Sequence, residues 1–224
     1  MHTTPKKPAV KLTEVKITSN VEIAPSVFLL SFMRDFSFNA GQVLGITNDP
    51  SEDARLYSIA SGENDPEISI LYNIKPGGKL TPPLSHLIPG NSLWITAPFG
   101  SFAADNKPAY WIAAGTGIAP FLSMFLSGYG NDNILIHGGR AIESFYFSDK
   151  FIPALGSNYI RCSTVVSLNG IYHGRVTTYL ENINDLPPDR KYYLCGSAEM
   201  VVDCREILLL KGIPFNNIVA EIYF

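Results

Sequence analysis

Short apolar runs separated by turn-forming residues dominate the first part of the chain. The runs are rich in β-branched and aromatic residues, which favour strands, and prolines, glycines and asparagines stand between them. Short strands at this spacing are typical of a small antiparallel barrel or sandwich. The pattern therefore predicts six strands, at 15–17, 27–32, 43–46, 56–59, 68–72 and 93–95, with one helical turn near 83–87.

The pattern changes after residue 108. A continuous apolar run is followed by a glycine-rich turn, and further apolar runs then alternate with segments of helical periodicity. Strands that alternate with helices indicate a parallel α/β sheet. The predicted strands are 109–113, 134–137, 161–167, 192–195 and 218–223, and the predicted helices are 119–126, 148–155 and 198–211.

Length and composition fit a division into two domains. The 224 residues suffice for two domains of ~100–120 residues each. Hydrophobic residues make up 46% of the chain and charged residues 17%, which is an ordinary globular composition with enough apolar material for two cores. We expect residues 1–103 to form a six-stranded antiparallel β-barrel and residues 104–224 to form a Rossmann-like parallel α/β domain.

Charge and cysteine content argue against several classes of protein. A net charge of −3 argues against a mainly electrostatic nucleic-acid binder. No apolar stretch approaches the ~20 residues of a membrane span, and residues 1–10 lack the apolar core of a signal peptide. We therefore expect a cytoplasmic protein, monomeric or weakly dimeric. The three cysteines lack CxxC spacing and are too few for a four-cysteine site, and the four histidines show no ligand spacing, so no metal is predicted.

Glycine-rich turns at two places could hold phosphate groups. Residues 114–120 (AGTGIAP) follow a predicted strand and open a helix, where glycines allow close backbone approach and free amides favour an anion. Residues 76–81 (PGGKLT) lead into the predicted helical turn and offer amides and a hydroxyl. Each turn taken alone is also compatible with a tight connection that binds no ligand.

The strand start at 55–58 (RLYS) carries side chains suited to a flat, phosphorylated ligand. Arg55 could clamp a phosphate, Tyr57 could stack on a ring and Ser58 could bond a ring nitrogen. Alternation along the strand predicts Arg55 and Tyr57 on one face and Leu56 and Ser58 on the other. An ordinary exposed strand remains the alternative for this segment by itself.

Five motifs in a consistent order carry a resemblance over nearly the whole chain. Together they resemble the ferredoxin–NADP⁺ reductase family, and its bacterial type most of all. The resemblance implies an FAD-binding barrel followed by an NAD(P)-binding domain. The motifs are Arg55-Leu56-Tyr57-Ser58, Gly78-Lys79-Leu80-Thr81, Gly115-Thr116-Gly117-Ile118-Ala119-Pro120, Cys195-Gly196-Ser197 and Glu221-Ile222-Tyr223-Phe224.

The resemblance implies a role for each matching residue around FAD. Arg55 takes the pyrophosphate, Tyr57 stacks on the isoalloxazine and Ser58 bonds near its reactive nitrogen, while residues 78–81 supply further donors to the pyrophosphate. The implied catalytic residues are Ser58, Cys195, Glu221 and Tyr223. The implied cofactor-binding residues are Arg55, Leu56, Tyr57, Ser58, Gly78, Lys79, Leu80, Thr81, Gly115, Thr116, Gly117, Pro120, Arg140, Arg175, Cys195, Gly196, Tyr223 and Phe224.

The same resemblance places the pyridine nucleotide. Residues 115–120 receive it, and Cys195 aligns the nicotinamide. Tyr223 covers the flavin and moves aside for the nicotinamide, Phe224 packs on adenine, and Glu221 is an acidic group near the reaction centre.

The choice between NADPH and NADH depends on a few cations. Arg140 and Arg175 match arginines that hold the 2′-phosphate of NADPH, whereas Leu168 stands where the bacterial pattern has another arginine. NADPH is therefore favoured, with NADH still open. Tyr146 could stack on adenine or be an ordinary tyrosine.

The resemblance thus implies an FAD-dependent reductase that moves electrons between NADPH and a one-electron carrier, ferredoxin or flavodoxin. The carrier is expected to be a separate protein because this chain has no iron–sulfur domain. One alternative is an NAD(P)H-dependent flavin reductase or an oxygenase electron-transfer component on the same fold. Another is a non-catalytic binding module, which would need broken motifs, whereas Arg55, Ser58, Gly117 and Cys195 are all present.

Overall fold

The N-terminal strands build a curled antiparallel sheet. The computed structural model describes residues 11–223, apart from the side chains of Ile222 and Tyr223. The strand order is β4-β3-β6-β1-β2-β5, and every predicted apolar run overlaps one strand, so the prediction of six strands is confirmed. The elements are β1 (Thr13–Ala24), β2 (Val27–Met33), β3 (Val43–Thr47), β4 (Arg55–Ser58), β5 (Glu67–Asn73), the short helix α1 (Thr81–Leu84) and β6 (Ser92–Ile95).

A bridge between Ile59 and Ile70 curls this sheet into a half-barrel, because it joins the chain beyond β4 to β5 at the other end of the strand order. Side chains that point inward form a closely packed apolar core, in which Leu30, Phe32 and Leu44 are fully buried. The position of β4 at one end of the order is what leaves the segment 55–58 near the opening of the half-barrel.

A second, parallel sheet follows, with helices between its strands, as predicted. Its order is β10-β9-β8-β7-β11-β12, and its central strands are buried on both faces, as is usual for parallel sheets. The strands are β7 (Ala109–Ala114), β8 (Ile134–Gly138), β9 (Tyr159–Ser163), β10 (Ile171–His173), β11 (Lys191–Ser197) and β12 (Ile218–Tyr223). The helices are α2 (Ala119–Leu126), α3 (Ser148–Leu155), α4 (Val176–Asn182) and α5 (Ala198–Leu210).

Three elements in and around the second sheet differ from the sequence prediction. The strand predicted at 161–167 ends at Ser163, because the Ser163 hydroxyl accepts hydrogen bonds from the backbone N–H groups of Val165 and Val166 (3.2 and 3.0 Å) and turns the chain. Strand β10 and helix α4 were not predicted. Three residues are too short a strand to produce a readable period.

One buried cluster joins the two sheets, in addition to a separate buried cluster in each of them. Val27 and Leu71 of the antiparallel sheet pack in the same cluster as Trp111, Phe121 and Tyr193 of the parallel sheet and α2. Hydrogen bonds reinforce this packing: the Ser123 hydroxyl of α2 donates to the Ser61 carbonyl (2.7 Å). This core fixes the end of β4 against the carboxyl ends of β11 and β12, where the candidate site lies.

Candidate functional site

Ser58 and Glu221 meet where the two sheets adjoin. Ser58 ends β4 and is buried, and its hydroxyl donates a 2.5 Å hydrogen bond to Oε2 of Glu221 on β12. Cys195 is fully buried on β11 and lies beside Glu221 in the parallel pairing of β11 with β12. The fold therefore brings together three of the four candidate catalytic residues, which are far apart in the sequence.

The fourth candidate catalytic residue, Tyr223, lies at the end of β12. Its backbone pairs with Ser197 at the carboxyl end of β11, two positions beyond the pairing of Cys195 with Glu221. Phe224, predicted to pack on adenine, lies outside the described residues. The backbone of Tyr223 therefore lies two positions from the pairing of Cys195 with Glu221.

The segment 55–58 lies along β4, at the end of the antiparallel sheet. Burial rises toward the end of the strand instead of alternating: Arg55 and Leu56 are exposed, Tyr57 is half-buried and Ser58 is buried. The predicted alternation of faces is thus not seen in burial, since an end strand leaves both faces of its first residues open. Burial raises the pKa of Tyr57 to about 12 against the opposing charge of Arg55, so its phenol stays neutral.

The loop before α1 is closed by its own hydrogen bonds. The Gly78 N–H donates to the Lys75 carbonyl (2.9 Å), and the Lys75 N–H donates to the buried Thr81 hydroxyl (2.8 Å). Gly77 has φ +72° and a Cβ there would meet nothing within 4 Å. Lys79 is exposed, with an ion pair to Glu52 at 3.5 Å. These hydrogen bonds hold the loop together and leave open space beside Gly77.

The residues of these two segments fit a flavin dinucleotide. Arg55 and Lys79 supply exposed cations for a pyrophosphate, and the Thr81 hydroxyl can still donate its hydrogen because it only accepts in the loop. Tyr57 offers a neutral ring that packs on the half-barrel core. The chemistry of this donor set suits a diphosphate joined to a flat ring.

The glycine-rich turn after β7 lies directly on the backbone of β11. It forms a 3₁₀ turn, Gly115–Ile118, that leads into α2 with Pro120 in the first helical turn. Gly115 has φ +57°, a left-handed value that favours glycine. A Cβ on Gly117 would lie 2.2 Å from the Cys195 carbonyl oxygen, so the close contact between turn and strand requires glycine there. The turn and Cys195 are thereby held together.

A groove of about 870 Å³ runs along the carboxyl ends of the parallel strands, the edge at which open α/β sheets bind ligands. Arg140, after β8, and Arg175, before α4, both line it, as does the half-buried Tyr146. Leu168 does not line it. The other lining residues are Ala114, Gly115, Gly138, Gly139, Ser144, Cys162, Ser163, Thr164, Val165, Gly174, Val176, Thr177, Ser197, Glu199, Met200 and Asp203.

Parts of this sequence match known oxidoreductases. A family model described as an oxidoreductase NAD-binding domain matches residues 111–206. The flavodoxin/ferredoxin–NADP reductase of Escherichia coli is 30% identical over 191 residues, covering 74% of this chain and 77% of the relative. This chain belongs to the ferredoxin–NADP⁺ reductase family.

Other members of the family extend the comparison. The toluate 1,2-dioxygenase electron transfer component of Pseudomonas putida is 28% identical over 221 residues, covering 94% of this chain, and the chain spans 66% of that relative's length. A ferredoxin–NADP⁺ reductase structure from Neisseria gonorrhoeae, with bound FAD and NADP, superposes with a TM-score of 0.85 at 24% identity. It covers 96% of this chain and 99% of its own. That similarity supports the fold of this family member.

Two acidic residues of the groove were missed by the sequence analysis. Glu199 and Asp203 are four residues apart on α5, so they share a helix face, and both line the groove. The signal that could have found them is the position of Glu199 in the first helical turn after the Cys195-Gly196-Ser197 motif.

The described part of this family member contains neither a metal cluster nor a spanning helix. Within residues 11–223, no three His, Cys, Asp or Glu side chains are grouped so as to hold a metal ion. No helix in the same range has the length and apolar character to cross a membrane.

Proposed function

We propose that this chain is an FAD-dependent reductase that transfers electrons between NADPH and a one-electron carrier protein, ferredoxin or flavodoxin. The observation that carries the proposal is the convergence of Ser58, Glu221 and Cys195 beside a groove that ends at the same sheet edge. Hydride transfer between two rings depends mainly on such positioning. The name of the E. coli relative, a flavodoxin/ferredoxin–NADP reductase, points the same way.

The half-barrel would hold FAD, which supplies the hydride chemistry and passes electrons on singly when bound. Arg55 would clamp its pyrophosphate, with further donors from the loop 78–81. Tyr57 would support one face of the isoalloxazine. These assignments rest on the exposure of the cations and the neutral, half-buried state of the Tyr57 phenol.

Ser58 and Glu221 would manage a proton at the reactive nitrogen of the flavin. The Ser58 hydroxyl already shares its hydrogen with Glu221 at 2.5 Å, so the pair can move a proton between the half-buried carboxylate and a ring nitrogen beside the hydroxyl. Cys195 would position the nicotinamide, because its backbone is held against the nucleotide-binding turn through Gly117.

The end of the chain would act as a lid. Tyr223 would cover the free flavin face and move aside for the nicotinamide, and Phe224 would pack on the adenine. The support for this assignment is the backbone position of Tyr223 beyond Glu221 on β12. A mobile aromatic residue there would make nicotinamide stacking reversible and would help release the spent nucleotide.

NADPH is the proposed nucleotide because two arginines line the groove. Arg140 and Arg175 would contact the 2′-phosphate, and Tyr146 offers a ring for the adenine. The segment 115–120 would receive the diphosphate through the backbone amides of Gly115 and Thr116, which are half-buried.

The visible spectrum of the purified protein tests this function. The protein is incubated with FAD, freed of excess flavin, and titrated anaerobically with NADPH and separately with NADH. We expect retained flavin absorbance that bleaches faster with NADPH, and reoxidation of the flavin on adding flavodoxin or a [2Fe–2S] ferredoxin. A protein that retains no flavin contradicts the proposal. Bleaching without electron transfer to either carrier would instead favour a flavin reductase or an oxygenase component.

A further inference from the structure

Glu199 forms an ion pair with Arg175 inside the groove. The carboxylate Oε1 lies 3.7 Å from Arg175 Nη1, and both side chains are largely exposed, at 77% and 71% of their surface. Arg175 is one of the two arginines assigned to the 2′-phosphate. A phosphate that binds this guanidinium must therefore share it with Glu199.

The charges along the groove cancel. Among its lining residues, two are cationic, Arg140 and Arg175, and two are anionic, Glu199 and Asp203. Glu199 lies in the first turn of α5, which sets the direction of its side chain. This helix begins at Ser197, whose hydroxyl accepts a hydrogen bond from the Met200 N–H (3.3 Å). A groove dedicated to a dianionic 2′-phosphate would gain from a cationic excess, which this one lacks.

We propose that Glu199 limits the preference of this chain for NADPH over NADH, by partly offsetting the charge of Arg175 and repelling a 2′-phosphate. The inference rests on the proposed function, because it concerns the same groove. A 2′-phosphate carries about two negative charges near neutral pH, whereas the 2′-hydroxyl of NADH carries none. The Glu199 carboxylate therefore weakens the binding of NADPH alone.

An ordinary structural role for Glu199 makes a different prediction. An acidic residue in the first turn of a helix stabilises the helix through its dipole. Loss of that contribution would lower the melting temperature and would affect both nucleotides equally. The ratio of the two affinities separates the two roles.

The test is calorimetric binding of two probes, 2′-phospho-AMP and AMP, to the flavin-loaded protein. In Glu199→Gln we expect the affinity for 2′-phospho-AMP to rise roughly two- to fivefold, on the scale of exposed charge interactions, with AMP affinity unchanged. The gain should shrink in high salt, because exposed charges are screened. Glu206→Gln is the matched control, since Glu206 is exposed on the same helix and does not line the groove.

A second variant tests whether Glu199 acts through Arg175. In an Arg175→Met background, Glu199→Gln should raise 2′-phospho-AMP affinity by a smaller factor than in the parent chain. If the parent binds both probes and Glu199→Gln leaves their affinity ratio unchanged, the inference is overturned while the proposed function stands. If the parent binds neither probe, the proposed function itself is overturned.

Discussion

Gly117 offers the sharpest test of how the nucleotide turn is held on the parallel sheet. A Cβ at this position would lie 2.2 Å from the Cys195 carbonyl oxygen, 2.5 Å from its carbonyl carbon and 2.7 Å from the Gly196 nitrogen. All three atoms belong to the backbone of β11, so no side-chain rotation can relieve the contact. In Gly117→Ala, the turn and the strand must move apart.

The size of the effect follows from these distances. Carbon–oxygen contacts of this kind ordinarily begin near 3.3 Å, so the turn must separate from β11 by about 1 Å. Overpacking of a buried contact costs about 1–3 kcal/mol, occasionally more, and a backbone-to-backbone contact belongs at the upper end. For a chain of this size, about 3 kcal/mol corresponds to a fall in melting temperature of roughly 6–12 °C.

Gly115→Ala is the matched control, because it makes the same substitution in the same turn. A Cβ on Gly115 would meet nothing within 4 Å, and its cost comes only from the φ of +57°, which is about 1–2 kcal/mol. Thermal and urea unfolding of both variants and the parent provide the comparison. The reasoning is refuted if Gly117→Ala is as stable as Gly115→Ala.

Three further predictions concern the proton pair, the phosphate clamp and a buried histidine. Ser58→Ala should slow anaerobic flavin reduction by NADPH at least tenfold in stopped flow, and an unchanged rate would exclude Ser58 from the reaction. Replacing Arg140 and Arg175 by Met should raise the KM for NADPH at least about tenfold in total and far more than the KM for NADH; equal effects would move the phosphate site elsewhere. Burial lowers the pKa of His137 from 6.5 to about 3, so the stability that its neutral form contributes is complete above pH 6.5 and is lost toward pH 3. The free energy of unfolding, measured in urea, should therefore fall less steeply below pH 6.5 in His137→Gln than in the parent chain. The two slopes should differ by roughly 1.4 kcal/mol per pH unit, and equal slopes would contradict the lowered pKa of His137.

Local sequence patterns predicted most of the fold. Helices α2 and α3 lie where the periodicity placed them, at Ala119–Leu126 and Ser148–Leu155, because each is bounded by residues that break the pattern. The end of β9 was predicted wrongly because hydrophobic periodicity does not reveal side-chain hydrogen bonds. Here the Ser163 hydroxyl accepts hydrogen bonds from two backbone N–H groups. The short strand β10 gains its stability from pairing with β9 instead of from its own composition.

Only those residues of the candidate site that belong to recognisable sequence motifs could be predicted. Ser58, Cys195 and Glu221 were selected by resemblance, and no local pattern in the sequence indicates that the first and last of them share a hydrogen bond. The acidic residues that line the groove could not be predicted from the sequence for a related reason. Glu199 and Asp203 resemble the solvated face of an ordinary helix, and only the fold shows that Glu199 lies 3.7 Å from Arg175.

The shared core limits which parts of the molecule can move during a catalytic cycle. Phe102 packs edge-on against both Phe121 and Tyr193, with ring centroids 5.8 and 5.4 Å apart. The Tyr193 hydroxyl also donates to the Ala103 carbonyl at 3.0 Å, which ties the link between the two sheets to β11. Opening the cleft between the sheets would expose these rings, at a cost of about 1.5–3 kcal/mol for each large side chain. None of these contacts involves a residue of β12. We therefore expect nucleotide exchange to be controlled by Tyr223, while the hydrogen bond between Ser58 and Glu221 keeps its geometry throughout.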